Sequence, residues 1–379
     1  MEPPSYRCAA CGRAYGLDDL RWCCDCGGYL TLPFQSGLEA SQVDRKEPSL
    51  WRYRAALPIE LTPPAAYFGE GLTPLVQRRW GGRDTAFKLD FLFPSGSFKD
   101  RGSAVMVNHL ASLGVKRIHE DSSGNAGASV AAYSAAAGIA ATIYSPASAA
   151  AGKLTQIAAY GAKLVRVAGT RQETAAAALA VSDGSYYASH NWSPLFIEGV
   201  KTVAYELWEQ HEWAAPDVVI GPIGYGSTVL GLYRGFKELE RRGSISRLPR
   251  IYACQSANCP SFHRAFESGD PAAAALAPSA VKPTIAEGVA ASKPLRVREV
   301  LDALRESGGR TVVVQDDEVV TSLFRLAALG LYVEPTSAVA PAAAVKLYAS
   351  GVVDSNERVV VVLTGTGLKA TDKIAGLRR

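Results

Sequence analysis

The chain is organised around nine residues in its first third, Pro94-Ser95-Gly96-Ser97-Phe98-Lys99-Asp100-Arg101-Gly102. The apolar run at 86–89 is typical of a buried strand, and residues 103–113 are typical of a helix. Lys99 therefore lies where a helix begins, beside the positive end of the helix dipole. That position, together with burial, favours the uncharged and nucleophilic form of an amine. The stretch is compatible with a reactive lysine or with a solvated charge in a first helical turn.

The composition limits the class of protein. A chain of 379 residues with 48% hydrophobic and 20% charged residues is globular and long enough for two domains or more. The net charge of +4 is small and comes without a long basic run, so nucleic acid is not expected as a partner. No apolar run approaches the roughly 20 residues of a membrane span, and the N-terminus does not have the pattern of a signal peptide. We therefore expect a cytoplasmic protein without a membrane partner.

Five of the seven cysteines lie in the first 26 residues. Two C-x-x-C pairs with a glycine behind the second cysteine are typical of a zinc ribbon, which we place at residues 1–33. The predicted ligands of a structural zinc ion are Cys8, Cys11, Cys23 and Cys26. Cys24 is an additional cysteine that could replace Cys23.

From about residue 115 onward, apolar runs alternate with helical segments, which predicts parallel sheets covered by helices on both faces. Two strand-to-helix turns, 121–129 and 221–228, are rich in glycine and small polar residues. Such turns present backbone N–H groups that bind anions, although serine and asparagine also simply cap helices. The second turn lacks the lysine of an ATP-binding Walker loop and the spacing G-x-G-x-x-G of a dinucleotide site.

Taken together, five stretches resemble, in sequence and in order, the fold-type II enzymes that use pyridoxal 5'-phosphate (PLP), the tryptophan synthase β family, and within it the threonine synthases. The stretches are 94–102, 122–129, 221–228, 334–338 and 364–369. Several threonine synthases also carry an N-terminal cysteine ribbon. The resemblance implies an α/β fold with two domains of parallel or mixed sheets, a cofactor cleft between them, and a homodimer. The domains would be a large one of residues 34–103 and 200–379 and a small one of residues 104–199.

The resemblance also implies roles for individual residues. Lys99 would bind PLP as a Schiff base and move protons at the substrate's α and β carbons. Asn125 would bond the 3′ oxygen of the cofactor, and the Thr364 hydroxyl would face the pyridine nitrogen, which favours elimination and replacement reactions. The loop around the cofactor phosphate would comprise Gly224, Tyr225, Gly226, Ser227 and Thr228. The amino-acid substrate would be bound by Ser122, Ser123, Gly124, Lys153, His190 and Asn191.

The implied activity is that of a PLP-dependent carbon–oxygen lyase, which converts O-phosphohomoserine and water into threonine and phosphate. One departure bears on the substrate, because Phe196 stands where threonine synthases have an arginine for the substrate phosphate. Loss of such a charge-assisted contact costs about 1.5–3 kcal/mol. The alternative is β-replacement or deamination of serine, threonine or an activated serine, as in cysteine or cysteate synthases and threonine dehydratases. A third hypothesis is a regulatory protein that has lost catalysis, against which the retained Lys99, Asn125 and Thr364 argue.

Overall fold

The structure is a computed structural model that describes residues 4–61, 63–147, 149 and 151–378, without the side chains of residues 151–153. Strands and helices are numbered along the chain. The strands are β1 (Ser5–Cys8), β2 (Ala14–Gly16), β3 (Leu30–Thr31), β4 (Leu75–Trp80), β5 (Arg83–Lys88), β6 (Arg117–Glu120), β7 (Ala140–Pro146), β8 (Lys163–Val167), β9 (Tyr186–Tyr187), β10 (Val218–Pro222), β11 (Arg250–Ser256), β12 (Arg310–Val314) and β13 (Val359–Val362). The α-helices are α1 (Lys99–Ser112), α2 (Asn125–Ala136), α3 (Ala151–Ala159), α4 (Arg171–Leu179), α5 (Pro194–Val200), α6 (Thr202–Gln210), α7 (Ser227–Arg242), α8 (Ser261–Ser268), α9 (Val297–Glu306), α10 (Asp316–Ala328), α11 (Pro335–Ala349) and α12 (Thr371–Leu377).

The chain divides into two compact units. The first comprises Met1–Ser36, Asp44–Gly71 and Lys99–Val200, and the second comprises Gly37–Val43, Leu72–Phe98 and Lys201–Arg379. We predicted a separate module at 1–33 and a large domain that includes 34–103, whereas residues 1–36, 44–71 and 99–103 all group with the first, smaller unit. Hydrogen bonds explain this grouping, because the Asn108 side chain on α1 accepts from the amide of Ala66 at 2.7 Å and donates to its carbonyl at 2.8 Å.

The second unit contains a six-stranded sheet in the order β12-β11-β10-β13-β5-β4. The first five strands in this order are parallel, and β4 is an antiparallel edge strand that joins β5 through the two-residue Gly81-Gly82 turn. The valines of β13 are all buried, as the predicted coverage of both sheet faces requires. From β10 the chain continues through β11 to β12 at one edge of the sheet, and it then returns to form β13 on the other side of β10. The loops that follow β10 and β13 therefore lie side by side at a topological switch point.

The first unit contains a parallel four-stranded sheet in the order β8-β7-β6-β9 and an antiparallel three-stranded sheet in the order β2-β1-β3. The switch point of the parallel sheet lies between β6 and β9, where the loops 121–124 and 188–193 begin. Both units therefore confirm the predicted α/β class. Helix α5 begins at Pro194, a residue suited to the first helical position, and no local pattern in the sequence indicates this short helix.

Within the described ranges, none of the helices combines the length and the apolar character needed to cross a membrane.

Candidate active site

Lys99 is the first residue of helix α1, at the mouth of the helix as the sequence predicts, but it is partly exposed and not buried. Its Nζ atom lies 5.6 Å from the ring centroid of Phe196 on helix α5. Phe196 is fully buried, and its ring centroid lies 5.8 Å from that of His190. The side chain beside the candidate nucleophile is therefore a neutral aromatic ring and not a cation.

Two glycines allow helices α1 and α5 to pack closely beside Lys99. A Cβ atom on Gly102 would lie 2.5 Å from ring atoms of Phe196, and one on Gly199 would lie 2.0 Å from the carbonyl oxygen of Arg101. Both distances are far below van der Waals contact, which is about 3.5–4.0 Å. The glycines therefore position the Phe196 ring against the first turn of α1.

The loop after β6 leads into the N-terminus of α2, whose first residue is Asn125 and whose backbone N–H groups are of the kind that suit an anion. The Ser122 hydroxyl accepts a hydrogen bond from the amide of Gly124 at 3.2 Å. A Cβ atom on Gly127 would come within 1.8 Å of the Ser122 carbonyl oxygen, so only glycine allows this tight loop. The structure thus brings the predicted carboxylate loop Ser122–Gly124 and Asn125 together.

A buried carboxylate, which the sequence did not reveal, lies at the end of β6. Oε1 of Glu120 is 2.6 Å from Nδ1 of His190, and its Oε2 accepts the amide hydrogen of Ser122 at 2.6 Å. Burial raises the pKa of the Glu120 carboxyl to about 7 and lowers the pKa of the His190 imidazole well below its usual range. The imidazole is therefore neutral at physiological pH. Next to this pair, Asp121 forms an ion pair with Arg171 at 2.7 Å.

The glycine loop after β10 has the form expected of a phosphate site. Gly226 has a φ of +105° and is the N-cap of α7, whose first residues are Ser227 and Thr228. A Cβ atom on Gly224 would lie 2.2 Å from the carbonyl oxygen of Gly288. Tyr225 lies between the two glycines and is partly exposed. Loop and helix together present backbone N–H groups and hydroxyls at a positive helix end.

The neighbouring loop after β13 contains Thr364, which is buried and 3.1 Å from Ser337 through the two hydroxyl oxygens. Ser337 also accepts the amide hydrogens of Thr364 and Gly365, at 3.0 and 2.7 Å. The amide of Phe98 donates to the Thr364 carbonyl at 2.9 Å, and Lys99 is the next residue along the chain. Ser337 therefore positions the Thr364 loop; it belongs to the stretch 334–338 that resembles the PLP enzymes, but the resemblance implied no role for it.

The residues of each unit suit one part of a phosphorylated heteroaromatic cofactor. In the second unit, the glycine loop suits a phosphate and Thr364 offers a buried hydroxyl. In the first unit, Lys99 offers an amine and Asn125 offers an amide. The Ser97 hydroxyl is buried and has no hydrogen-bond partner among the described residues, so it can bond to a ligand. The side chain of Lys153, expected to bind substrate, lies outside the described residues.

The cysteine module brings together Cys8, Cys11, Cys24 and Cys26, whose sulfur atoms all lie within 4.8 Å of one another. Tetrahedral zinc–thiolate geometry places sulfurs about 3.8 Å apart, so the cluster has the size of a zinc site. The third member of this cluster is Cys24, the alternative to Cys23, which we predicted as the ligand. The reason is the strand geometry, because Cys23 forms a β-bridge with Tyr29 and adjacent extended residues point to opposite sides.

The sequence of the chain is similar to those of curated threonine synthases. It is 33% identical to that of Methanocaldococcus jannaschii, with 97% of this chain and 93% of the relative covered, and 32% identical to that of Methanosarcina acetivorans, with 96% and 91% covered. Among solved structures, maize serine racemase has a TM-score of 0.70 at 22% identity, with 81% of this chain and 92% of the other covered. The processed form of threonine deaminase isoform 2 from Solanum lycopersicum has a TM-score of 0.69 at 21% identity, with 90% of each chain covered.

The two structural likenesses concern the fold, which is that of the fold-type II PLP enzymes. The sequence model of the family described as pyridoxal-phosphate dependent enzyme matches residues 67–365, which include Lys99, the loop after β6, the glycine loop after β10 and Thr364. On this match and on the identity to the archaeal relatives, the chain belongs to the family of pyridoxal-phosphate dependent enzymes.

Proposed function

We propose that this enzyme is a threonine synthase, which converts O-phosphohomoserine and water into threonine and phosphate. The observation that carries the proposal is the 33% identity to the Methanocaldococcus jannaschii threonine synthase over 97% of this chain. This similarity extends well beyond residues 67–365, which the general PLP family shares. The proposal is therefore more specific than the fold, which also occurs in racemases and deaminases.

In this proposal, PLP supplies an electron sink for negative charge that develops on carbon atoms near the substrate's amino group. Lys99 would hold the cofactor covalently through Nζ and, once the substrate amine has replaced it, move a proton at the substrate's α carbon. Residues Gly224–Thr228 would hold the cofactor phosphate, Asn125 would bond its 3′ oxygen, and Thr364 would bond its pyridine nitrogen. We also propose that the two units are the functional domains of the enzyme.

The substrate would be held by the switch point of the first unit. The backbone N–H groups of Ser122–Gly124 and the N-terminus of α2 suit its carboxylate, because amides and a positive helix end bind anions. His190 and Asn191 would contact its side chain from the loop after β9. Lys153 would supply positive charge for the substrate phosphate.

A second candidate reaction is deamination or β-replacement on serine, threonine or an activated serine. The observation that favours it is Phe196, which is fully buried 5.6 Å from Nζ of Lys99 and offers no charge to a phosphate. The buried carboxylate of Glu120 adds negative charge nearby and so disfavours an anionic substrate side chain.

Phosphate release from O-phosphohomoserine by the purified, PLP-loaded protein distinguishes these reactions. We expect release of phosphate with an equal amount of threonine, and no release by the Lys99→Ala variant. If serine or threonine is turned over and O-phosphohomoserine is not, the second candidate is correct.

We further propose that Cys8, Cys11, Cys24 and Cys26 bind a structural zinc ion, that the enzyme works in the cytoplasm, and that it is a homodimer. The cysteine cluster supports zinc because four sulfurs within 4.8 Å suit a closed tetrahedral site. A reducing compartment would keep these thiols available for metal. Metal analysis and light scattering on the purified protein test the zinc content and the oligomeric state.

A further inference from the structure

Glu120 connects the two loops at the switch point of the first unit. It is the last residue of β6, and β9 is the neighbouring strand in the sheet. Its Oε1 atom meets Nδ1 of His190 in the loop after β9, and its Oε2 atom accepts the amide hydrogen of Ser122 in the loop after β6, both at 2.6 Å. One carboxylate therefore sets the positions of both segments that the proposed function assigns to the substrate.

The surroundings determine the proton positions in this pair. Glu120 is fully buried and His190 is nearly so. A carboxylate only accepts hydrogen bonds, so Nδ1 of His190 carries the proton whenever Glu120 is ionised, and Nε2 is then an acceptor. The charged groups that act on the pair are Lys99, Asp121 and Arg171, and the last two form an ion pair with each other.

We propose that Glu120 is a positioning residue for substrate binding, which holds His190 as the neutral Nδ1–H tautomer and fixes the carboxylate loop through the amide of Ser122. This inference rests on the proposed function for the role of the two loops, but the hydrogen bonds themselves do not depend on which substrate is used. A neutral imidazole so oriented presents Nε2 as an acceptor, which suits a hydroxyl or a protonated leaving group on the substrate side chain.

The arrangement predicts a dependence on pH. Ionised Glu120 accepts from both His190 and Ser122, whereas a protonated carboxyl donates through one oxygen, so it either loses one of these bonds or shifts His190 to the Nε2–H tautomer. Since burial raises the pKa of this carboxyl to about 7, binding should weaken as the pH falls through neutrality.

The test compares the wild-type holoenzyme with Glu120→Gln, whose amide nitrogen cannot accept a hydrogen bond and so breaks at least one of the two contacts. We expect kcat/KM to fall roughly 10- to 100-fold, as for loss of a hydrogen bond to a charged group, with the larger part in KM. We also expect the decline of kcat/KM below neutral pH to disappear. The matched control is His119→Gln, because His119 is a buried histidine on β6 whose ring nitrogens meet Ser185 and Ala178 instead.

A second measurement does not need turnover. The chain has five histidines, so ¹⁵N spectra of the histidine-labelled protein are simple, and His190→Gln identifies the signals of His190. At a pH above 7, where Glu120 is ionised, we expect wild-type His190 to be neutral and protonated on Nδ1, and this state to be lost or mixed in Glu120→Gln. If O-phosphohomoserine is not a substrate, these spectra still decide the inference, so its failure is separate from that of the proposed function.

Three results would overturn the inference. They are a wild-type His190 that is charged or protonated on Nε2, a Glu120→Gln enzyme with unchanged kcat/KM and pH profile, and an equal loss of kcat/KM in His119→Gln. If Glu120→Gln does not fold, the wild-type spectrum alone decides between the first result and the proposal.

Discussion

The close packing of α1 on α5 gives a quantitative prediction for Gly199→Ala. The new Cβ atom would lie 2.0 Å from the Arg101 carbonyl oxygen and 2.8 Å from the Cα atom of Gly102. All these neighbours are backbone atoms, so no side chain can move aside. To restore a contact of about 3.5 Å the two helices have to separate by more than about 1 Å, which carries Phe196 and the first turn of α1 with them.

The expected cost follows from two opposing terms. Replacement of a helical glycine by alanine stabilises a helix by about 1 kcal/mol, whereas forced overpacking costs about 1–3 kcal/mol and more where the backbone is blocked on both sides. We expect Gly199→Ala to lower the free energy of unfolding by about 2 kcal/mol or more, measured by denaturant titration. We also expect a fall in kcat/KM, since the position of Lys99 depends on this contact.

The matched control is Gly376→Ala in helix α12, where a new Cβ atom has no neighbour within 4 Å. This variant has the same gain in helix propensity without the clash, so we expect it to be as stable as the wild type or more stable. If Gly199→Ala were as stable and as active as Gly376→Ala, the assigned packing of α1 on α5 would be wrong.

Three further predictions use other parts of the molecule. Lys99→Ala should lose turnover and the visible absorbance of covalently held PLP, and a variant with the wild-type spectrum would contradict the assignment of Lys99. Cys24→Ser should lose zinc and lower the melting temperature, whereas Cys23→Ser should retain about one zinc per chain, as measured by metal analysis; the opposite order would restore Cys23 as the ligand. Burial raises the pKa of the Glu70 carboxyl to about 7, so the folded state binds this proton more tightly than the unfolded state does. The free energy of unfolding should therefore fall as the pH rises from about 4.5 to about 7. Glu70→Gln should reduce this pH dependence in denaturant titrations at several pH values, and an unchanged dependence would show that another group causes it.

The sequence alone is sufficient to predict those parts of the candidate site that are formed by residues adjacent to one another along the chain. A strand, a turn of small residues and a helix follow one another along the chain at 86–112, at 117–136 and at 218–242, and local patterns reveal such units. The glycines at 224 and 226 are visible in the same way, since a tight turn before a helix requires them. Local patterns are therefore sufficient to locate these loops.

The pairing of distant residues could not be predicted in this way. Glu120 and His190 are 70 positions apart, and the sheet order β6-β9 alone makes them neighbours. The choice between Cys23 and Cys24 depends on which side of an extended segment each residue faces, and C-x-x-C spacing with an extra cysteine leaves that open. Helix α5 was missed because its seven residues contain a proline and a glycine, which are weak helix formers outside a packed context.

The residues near Lys99 explain why Phe196, which replaces an arginine of the threonine synthase pattern, bears directly on the choice of substrate. In the first unit, the residues near Lys99 are a neutral ring at Phe196, a neutral imidazole at His190 and the carboxylate of Glu120, while Arg171 is already paired with Asp121. A substrate phosphate placed there would meet no unpaired arginine among these residues and would approach a buried negative charge. The amino-acid part of the substrate meets no such obstacle, because the carboxylate loop and the N-terminus of α2 are intact. Turnover of O-phosphohomoserine would therefore require Lys153 and backbone donors to bind its phosphate, and it is this requirement that the phosphate-release assay tests.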